Sequence, residues 1–548
     1  MNFANLLKND VQFPLIHTVA SPFSQVMPTL MEEDSEWWKS NPHVVIVWTR
    51  PEDVCASFSC VLKHEEADID LILEEVDKFT SLLLNIRNRA RIILVPTWVA
   101  PTYYHNMMGI LDMKAGVGLA NTLMRMNIRL ADNLTKEPNI YLLNTHKWVE
   151  LTGKRAFNPK LWYMGKIAFG NDVFVEAVRD IKSTLRGILG RSKKLIILDL
   201  DDTLWGGIVG DVGWENIKLG GHDYLGEAYR DFQLALKSLS NRGILLGVVS
   251  KNDEKIALEA IKRHPEMVLH IEDFAGIRIN WNDKAQNIVE LVSELNLGFD
   301  TVVFIDDNPV ERNRVRDALP EIFVPEWPED KTIYKSTLFQ LSCFDTAFIS
   351  KEDIERTKMY VSDRIRKDLK GKISSLDEWL KSLNTVVKVE PLNESNLKRA
   401  TQLFNKTNQI NLTTRRMTDT ELMRWAHQEG NKLWTFSVSD KFGSSGLTGL
   451  TSLSYKDHKG QIVDFVLSCR VMGRKIEETM LYTIISYSKS VGLEEIIAEY
   501  IQTPKNKPCL EFWRRSGFGM LSNSDNIFMW NLKDIYPFPE SIQIEVKN

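Results

Sequence analysis

Apolar positions along the chain alternate between two periodicities. In the first third, short apolar runs of strand length at 13–19, 43–48, 91–95 and 140–143 are separated by stretches at 67–86 and 117–135, where apolar residues recur at helical spacing. That alternation predicts a parallel α/β unit, closed by an amphipathic helix at 172–189. After Gly190-Arg191-Ser192-Lys193-Lys194 a second alternation begins: a strand at 194–198, a helix at 225–242 capped by Gly243, a strand at 244–249, helices at 254–263 and 285–297, and a strand at 301–305. Residues 346–384 are charged and helical in pattern. The remainder reads as a strand at 386–389, a helix at 394–404, an amide- and hydroxyl-rich turn at 405–416, a further helix, three antiparallel strands at 433–440, 446–455 and 461–469, and a helix at 476–491. The expected organisation is three α/β domains, at 1–190, 191–345 and 385–548, with a helical linker at 346–384.

Composition narrows the class. A chain of 548 residues exceeds one hydrophobic core. With 43% hydrophobic residues, 26% charged residues and a net charge of -5, it matches ordinary soluble protein and argues against nucleic-acid or membrane partners. Five cysteines without a CxxC pair imply neither a zinc site nor a disulfide framework, which suits a reducing compartment. The first residues lack the basic start and apolar core of a signal peptide, and no segment offers about 18 uninterrupted apolar residues, so a cytoplasmic protein is expected.

The chemistry gathers at Lys194-Leu195-Ile196-Ile197-Leu198-Asp199-Leu200-Asp201-Asp202-Thr203-Leu204-Trp205-Gly206-Gly207, where a buried parallel strand delivers carboxylates to the carboxyl edge of a sheet. Ser250, Asp306 and Asp307 follow later strands, Lys284 stands just ahead of the helix at 285–297, and all reach the same edge. A carboxylate there can attack phosphorus, and Asp199 is the candidate nucleophile. Leu200 points to the opposite face, so Asp201 shares the side of Asp199 and can act as acid and then base. Clustered carboxylates and a phosphate repel unless a cation intervenes; Asp199, Asp201, Asp306 and Asp307 are the candidate ligands, and Mg²⁺ suits them best. Lys284 and Ser250 would hold phosphoryl oxygens. Thr203, Trp205, Gly206 and Asn252 are assigned to the phosphate and flap region, with Trp205-Gly206-Gly207 as the point of entry for a partner's arm.

In this order, DLDDT, Ser250, Lys284 and the Asp306-Asp307 pair resemble the four motifs of the haloacid dehalogenase (HAD) superfamily. That resemblance implies a Rossmann-like domain, with Asp199 as nucleophile and Asp201 as acid/base. Caps in those enzymes are inserted between the first and second or the second and third motifs. Here 51 residues separate Asp199 from Ser250 and 34 separate Ser250 from Lys284, leaving no room for a cap. A capless, open site favours a large substrate.

The flanking units carry weaker signals. The first resembles SGNH-type esterase folds; its Ser21 stands where a hydrolase nucleophile would, but the Gly-Asp-Ser block is absent and a helix N-cap is the preferred reading. In the last, Arg470-Val471-Met472-Gly473-Arg474-Lys475 ahead of a helix resembles the Arg-x-x-Gly turn of the GNAT acyltransferase fold. There, backbone N–H groups and a helix N-terminus meet the pyrophosphate of coenzyme A. Lys475 departs from that pattern, where a small residue is expected; Arg470, Gly473 and Arg474 remain candidates for a pantetheine phosphate. Cys469, beside two arginines, is a candidate acyl carrier, against the plainer reading of a small buried side chain.

Over residues 1–535, DLDDTLWGG, VSKND at 249–253, NKTNQINLTTRR at 405–416 and SCRVMGR at 468–474 are very similar to the long FkbH-like proteins of HAD subfamily IIIC. The resemblance implies a Mg²⁺-dependent glyceryltransferase/phosphatase that takes the glyceryl group of 1,3-bisphosphoglycerate and loads it on the phosphopantetheine thiol of an acyl carrier protein, in polyketide or polysaccharide biosynthesis. The alternatives are a simple phosphatase on a small or carrier-bound phosphate ester, a coenzyme A-dependent acyltransferase, and a non-catalytic scaffold.

Overall fold

The computed structural model describes the chain except residues 1, 22–24, 33–35, 102–108, 222, 347–348, 350–353, 356–357, 364–365, 367–368, 370–372, 374, 522–525 and 548, and the side chains of Asn2, Glu36, Lys406 and Cys469. It divides into two compact units, Met1–Leu189 and Gly190–Asn548. Among the described residues no helix is long and apolar enough to cross a membrane.

The first unit holds a parallel sheet of β1 (Val44–Ile46), β2 (Ile92–Pro96) and β3 (Ile140–Leu143), in that order. Central β2 is buried throughout because both faces are covered. Ile93 and Val95 pack with α1 (Ile69–Asn85) and α2 (Leu119–Leu134), while Ile92 and Leu94 pack on the other side with α3 (Asn171–Ile188). The apolar run at 13–19 does not form the expected first strand. Side chains of α3 take the preceding backbone instead: Lys182 Nζ donates to the carbonyls of Asp10 (2.7 Å) and Gln12 (2.7 Å), and Arg186 to that of Phe13 (3.0 Å). With those acceptors satisfied by cations, the segment runs alongside a helix rather than in the ladder.

In the second unit, β4 (Leu195–Leu198), β5 (Leu245–Ser250), β6 (Phe274–Ile279) and β7 (Val302–Ile305) form a parallel sheet in the order β6-β5-β4-β7. The run Leu195-Ile196-Ile197-Leu198 divides by parity: Ile196 and Leu198 enter the core under α4 (Tyr224–Asn241), and Leu195 and Ile197 the core under α6 (Lys284–Glu294). Between Asp199 and Ser250 the described residues form a flap with a one-turn helix at Val209–Val212, then α4 and β5 itself. Between Ser250 and Lys284 lie α5 (Glu254–Arg263) and β6. The domain therefore carries no cap.

The rest of this unit is a nine-stranded sheet built on β8 (Thr385–Pro391), β10 (Asn431–Asp440), β11 (Gly443–Lys456), β12 (Lys459–Leu467) and β13 (Glu495–Glu499), with β14 (Gly519–Met520), β15 (Ile527–Asn531) and β16 (Ile542–Val546) at its margins. β12 and β13 pair in parallel only as far as Ile462 and Ala498. Beyond that point β9 (Ile410–Asn411) pairs with Val466 and Leu467; Leu412 N–H donates to Phe465 O (3.1 Å), and its carbonyl accepts from Ile501 N–H (3.0 Å). The amide-rich turn is thus a structural knot. Asn506, fully buried, donates to the carbonyls of Asn411 (3.0 Å) and Ile501 (2.8 Å) and accepts from Tyr500 (2.7 Å).

Candidate active site

The four sequence motifs meet at the carboxyl edge of the four-stranded sheet. Asp199 follows β4 directly, its N–H continuing the ladder to Ile305 O (3.1 Å). One of its oxygens lies 3.0 Å from Lys284 Nζ, and the other, Oδ1, is buried with no hydrogen-bond partner. Lys284, 3% exposed at the start of α6, also donates to Asp306 Oδ2 (2.6 Å). Burial works against its charge, but Asp199 and Asp306 outweigh that and raise its pKa. Asp306 is wholly buried at the end of β7; desolvation first, then the neighbouring Asp199 charge, raises its pKa, with Lys284 opposing.

Asp199, Asp306 and Asp307 each bring one carboxylate oxygen within 4.8 Å of the others. Three carboxylate oxygens form a hard donor set that fits a divalent cation of the magnesium type, and Asp199 Oδ1, buried without a partner, marks a place in the site where a ligand is missing from the chain itself. The carboxylate of Asp201, expected among the metal ligands, does not join them. Its Oδ1 accepts from Trp205 Nε1 (2.9 Å) and Val209 N (3.1 Å), and its Oδ2 from Asn252 Nδ2 (2.8 Å). These bonds fix its orientation, while burial, the largest influence, raises its pKa against them. A carboxyl held in place with a raised pKa is suited to proton transfer.

The flap residues also differ from the expected arrangement. Trp205 is 0% exposed and is no point of entry; its indole is spent on aiming Asp201. Gly206 exchanges backbone hydrogen bonds with Lys218 (3.0 and 2.8 Å), and a Cβ there would meet the Tyr229 ring at 2.8 Å. Thr203 Oγ1 accepts from the Asp307 N–H (3.2 Å), and Asn252 serves Asp201, so both hold carboxylate-bearing loops. Ser250 is buried at the end of β5, and its carbonyl accepts from Asn280 N–H (3.1 Å).

Several supports had no local signal. Arg312, in α7 (Pro309–Ala318), donates to the carbonyls of both Asp306 (2.9 Å) and Asp307 (2.7 Å). Asp202 sits at φ +51, a conformation rare for a residue with a Cβ, and its carbonyl accepts from Tyr229 Oη (3.3 Å), Lys331 Nζ (3.3 Å) and Tyr334 Oη (3.2 Å). Lys331 and Tyr334 lie far along the chain, and only the fold brings them here.

The C-terminal turn is not open to a phosphate in the manner expected. Arg474, buried, is engaged by Asp440 (3.0 Å), Asp363 (3.2 Å) and the Arg470 carbonyl (2.6 Å). Arg470 donates to Met359 Sδ (2.7 Å), and the Gly473 N–H to Glu477 Oε1 (2.9 Å). The chain's own carboxylate therefore fills the place assigned to an external anion. The strand before the turn ends at Leu467, so Cys469 opens a 3₁₀ turn instead of closing a strand; its side chain lies outside the described residues. In the first unit, Ser21 caps no helix: Gln25 precedes Val26–Met31, and the Ser21 hydroxyl pairs with Thr29 Oγ1 (3.3 Å).

Burial is the main reason the Glu477 pKa is pushed up to about 7, the Gly473 N–H opposing it. The carboxyl is thus harder to ionise in the folded chain than in the unfolded one. Its contribution is intact below the unfolded value near 4.5 and is lost as pH rises from there to about 7. Glu477→Gln is expected to raise stability by up to about 3 kcal/mol at pH 8 and by little at pH 4.5, as read from denaturant midpoints at the two pH values.

The family model for the FkbH N-terminal domain matches residues 12–183. The N-terminal part of the protein BF1531 from Bacteroides fragilis, containing a phosphatase domain and crystallised with Mg, is 32% identical over 60% of this chain and 86% of its own, with a TM-score of 0.54. A spermidine N-acetyltransferase from Vibrio cholerae, solved with CoA and spermine, is 15% identical over 27% of this chain and 96% of its own (TM-score 0.22). The ribosomal-protein-S18-alanine N-acetyltransferase from Escherichia coli is 8% identical over 27% and 94% (TM-score 0.21). No curated protein matches the chain.

Proposed function

The chain belongs to the FkbH-like family, and from that premise we propose that it is a HAD-type, Mg²⁺-dependent phosphatase and glyceryltransferase acting on 1,3-bisphosphoglycerate and an acyl carrier protein. The observation that carries the reading is the Asp199 carboxylate, one oxygen held by Lys284 and the other buried without a partner, beside the tethered carboxyl of Asp201.

Asp199 Oδ1 attacks the phosphorus of the C3 phosphate ester, the P–O bond to the sugar-acid oxygen breaks, and Asp201 delivers a proton to that oxygen. Asp201 then takes a proton from water, whose oxygen displaces phosphate from the Asp199 aspartyl-phosphate. Asp199, Asp306 and Asp307 would hold Mg²⁺, which offsets the negative charge accumulating around the phosphoryl group. Lys284 Nζ, 3.0 Å from Asp199, aims that carboxylate. Ser250, at the end of β5, would donate its hydroxyl to a phosphoryl oxygen. In the acyl half, a relay thiol attacks the C1 carbonyl, the C–O bond to phosphate breaks and phosphate leaves; the carrier thiol then attacks that thioester and releases the relay thiol, so each glyceryl thioester accompanies two phosphates and one water consumed. Cys469 is the proposed relay for this half. Work in a reducing cytoplasm is part of this reading, since the five cysteines include no CxxC pair.

The test is to incubate the protein with Mg²⁺, 1,3-bisphosphoglycerate and a holo acyl carrier protein, then weigh the carrier intact and assay phosphate. The expected result is a carrier heavier by one glyceryl group and phosphate release abolished by chelation. A second reading, a phosphatase alone, is favoured by the internal engagement of Arg470, Gly473 and Arg474. Phosphate release without any mass gain on the carrier would establish it.

A further inference from the structure

We propose that Lys331 is an internal competitor of the divalent cation: its ammonium and the ion are alternative partners of one carboxylate, Asp307, so metal loading of this site is a cation exchange. The inference rests on the Mg²⁺ reading above.

Asp199, Asp306 and Asp307 bring carboxylate oxygens within 4.8 Å of one another, and like charges so close need counter-charge. Lys284 and Lys331 supply it in different ways. Lys284 is almost wholly buried and held on both sides, by Asp199 (3.0 Å) and Asp306 (2.6 Å). Lys331 Nζ stands 3.7 Å from Asp307 Oδ2, the longest of the three ion pairs, and its side chain is 22% exposed. It also donates to Tyr334 Oη (2.8 Å) and the Asp202 carbonyl (3.3 Å), and lies 5.2 Å from the centre of the Tyr334 ring.

A cation that takes Asp307 therefore costs the ammonium one partner of three. Two neutral acceptors, a ring face and access to water remain for it. Lysine suits such an exchange, because a point charge on a flexible stem gives up one carboxylate without breaking the paired grip of an arginine fork. Its base stays in place. Asp330 caps the turn Lys331–Ile333 by accepting from the Thr332 N–H (2.9 Å), and Tyr334, next along the chain, is fully buried. The loop of Asp307 is fixed independently of its charge: Arg312 holds the Asp306 and Asp307 carbonyls (2.9 and 2.7 Å), and Thr203 Oγ1 takes the Asp307 N–H (3.2 Å). The same backbone thus presents the carboxylate to either cation. A partner that must first be displaced lowers the apparent affinity of the incoming ion by the fraction of the carboxylate it ties up.

The experiment measures Mg²⁺ binding calorimetrically on the full chain. Lys331→Met is expected to bind Mg²⁺ about three- to tenfold more tightly than the parent, a gain that damage to the fold would not produce. Lys331→Arg keeps the charge and stays within about twofold of the parent, as does Tyr334→Phe, which loosens the same turn without removing charge. Asp307→Asn weakens binding and so assigns the ion to this carboxylate. In scanning calorimetry, Mg²⁺ raises the thermal midpoint of Lys331→Met by more than that of the parent. Equal or weaker Mg²⁺ binding by Lys331→Met, or an equal gain in Tyr334→Phe, would overturn the exchange and leave the metal site standing. Mg²⁺ binding that is absent from the parent, or untouched by Asp307→Asn, would overturn both the exchange and the assignment of the ion to these carboxylates.

Discussion

Asp199→Asn lowers phosphate release by at least about 10⁴-fold, the scale seen when the nucleophile of a cooperating catalytic unit is removed. The fold is expected to survive, because the amide keeps the shape of the carboxylate, and Lys284 retains its shorter contact, 2.6 Å to Asp306. Asp201→Asn should cost less, about 10²- to 10⁴-fold, since it removes proton transfer but leaves the attacking oxygen. Steady-state phosphate assays on the two variants, with circular dichroism to establish folding, separate the roles. An Asp199→Asn protein that still turned over at near the parental rate would exclude the aspartyl-phosphate route.

Lys284→Met is expected to damage both activity and stability. The lysine is the cation shared by two buried carboxylates, at 3.0 Å from Asp199 and 2.6 Å from Asp306. Removing it leaves like charges facing each other out of water, a situation that typically costs about 3–5 kcal/mol. Turnover should fall by at least about 10²-fold, the scale for losing one preorganised electrostatic partner. Added Mg²⁺ should recover more of the thermal midpoint in this variant than in the parent, because cation binding to the folded state supplies part of the missing charge. Differential scanning calorimetry with and without Mg²⁺ reads the difference.

Much of this centre was legible in the residues themselves. Strand β4 could be read because its apolar residues divide between two cores by parity and then stop at an acid. The four motif positions follow from strand ends, which a local pattern can locate. What stayed hidden depends on distant partners. The segment at 13–19 has the composition of a strand, and nothing within it shows that Lys182 and Arg186 will claim the carbonyls just before and at its start. Trp205 beside two glycines reads as a surface turn; the need of Asp201 for an indole N–H is visible only in three dimensions. Arg470 and Arg474 look like free cations ahead of a helix, because Met359, Asp363 and Asp440 come from other segments. Glu477 was closer to view. It stands four residues after Gly473, within reach of the turn's own N–H, and its spacing could have signalled self-capping.

The carbonyl of Asp202 has a consequence for dissecting the molecule. Two of the groups that hold it, Lys331 and Tyr334, lie beyond the last strand of the phosphatase sheet, and the chain stays in register with that sheet further still, through Lys193 N–H to Cys343 O (2.8 Å). A fragment cut after β7 and α7 would preserve every strand and all the catalytic motifs yet leave the first turn slack. The excision point for an autonomous phosphatase fragment therefore lies past Phe344, whose ring is part of the same core.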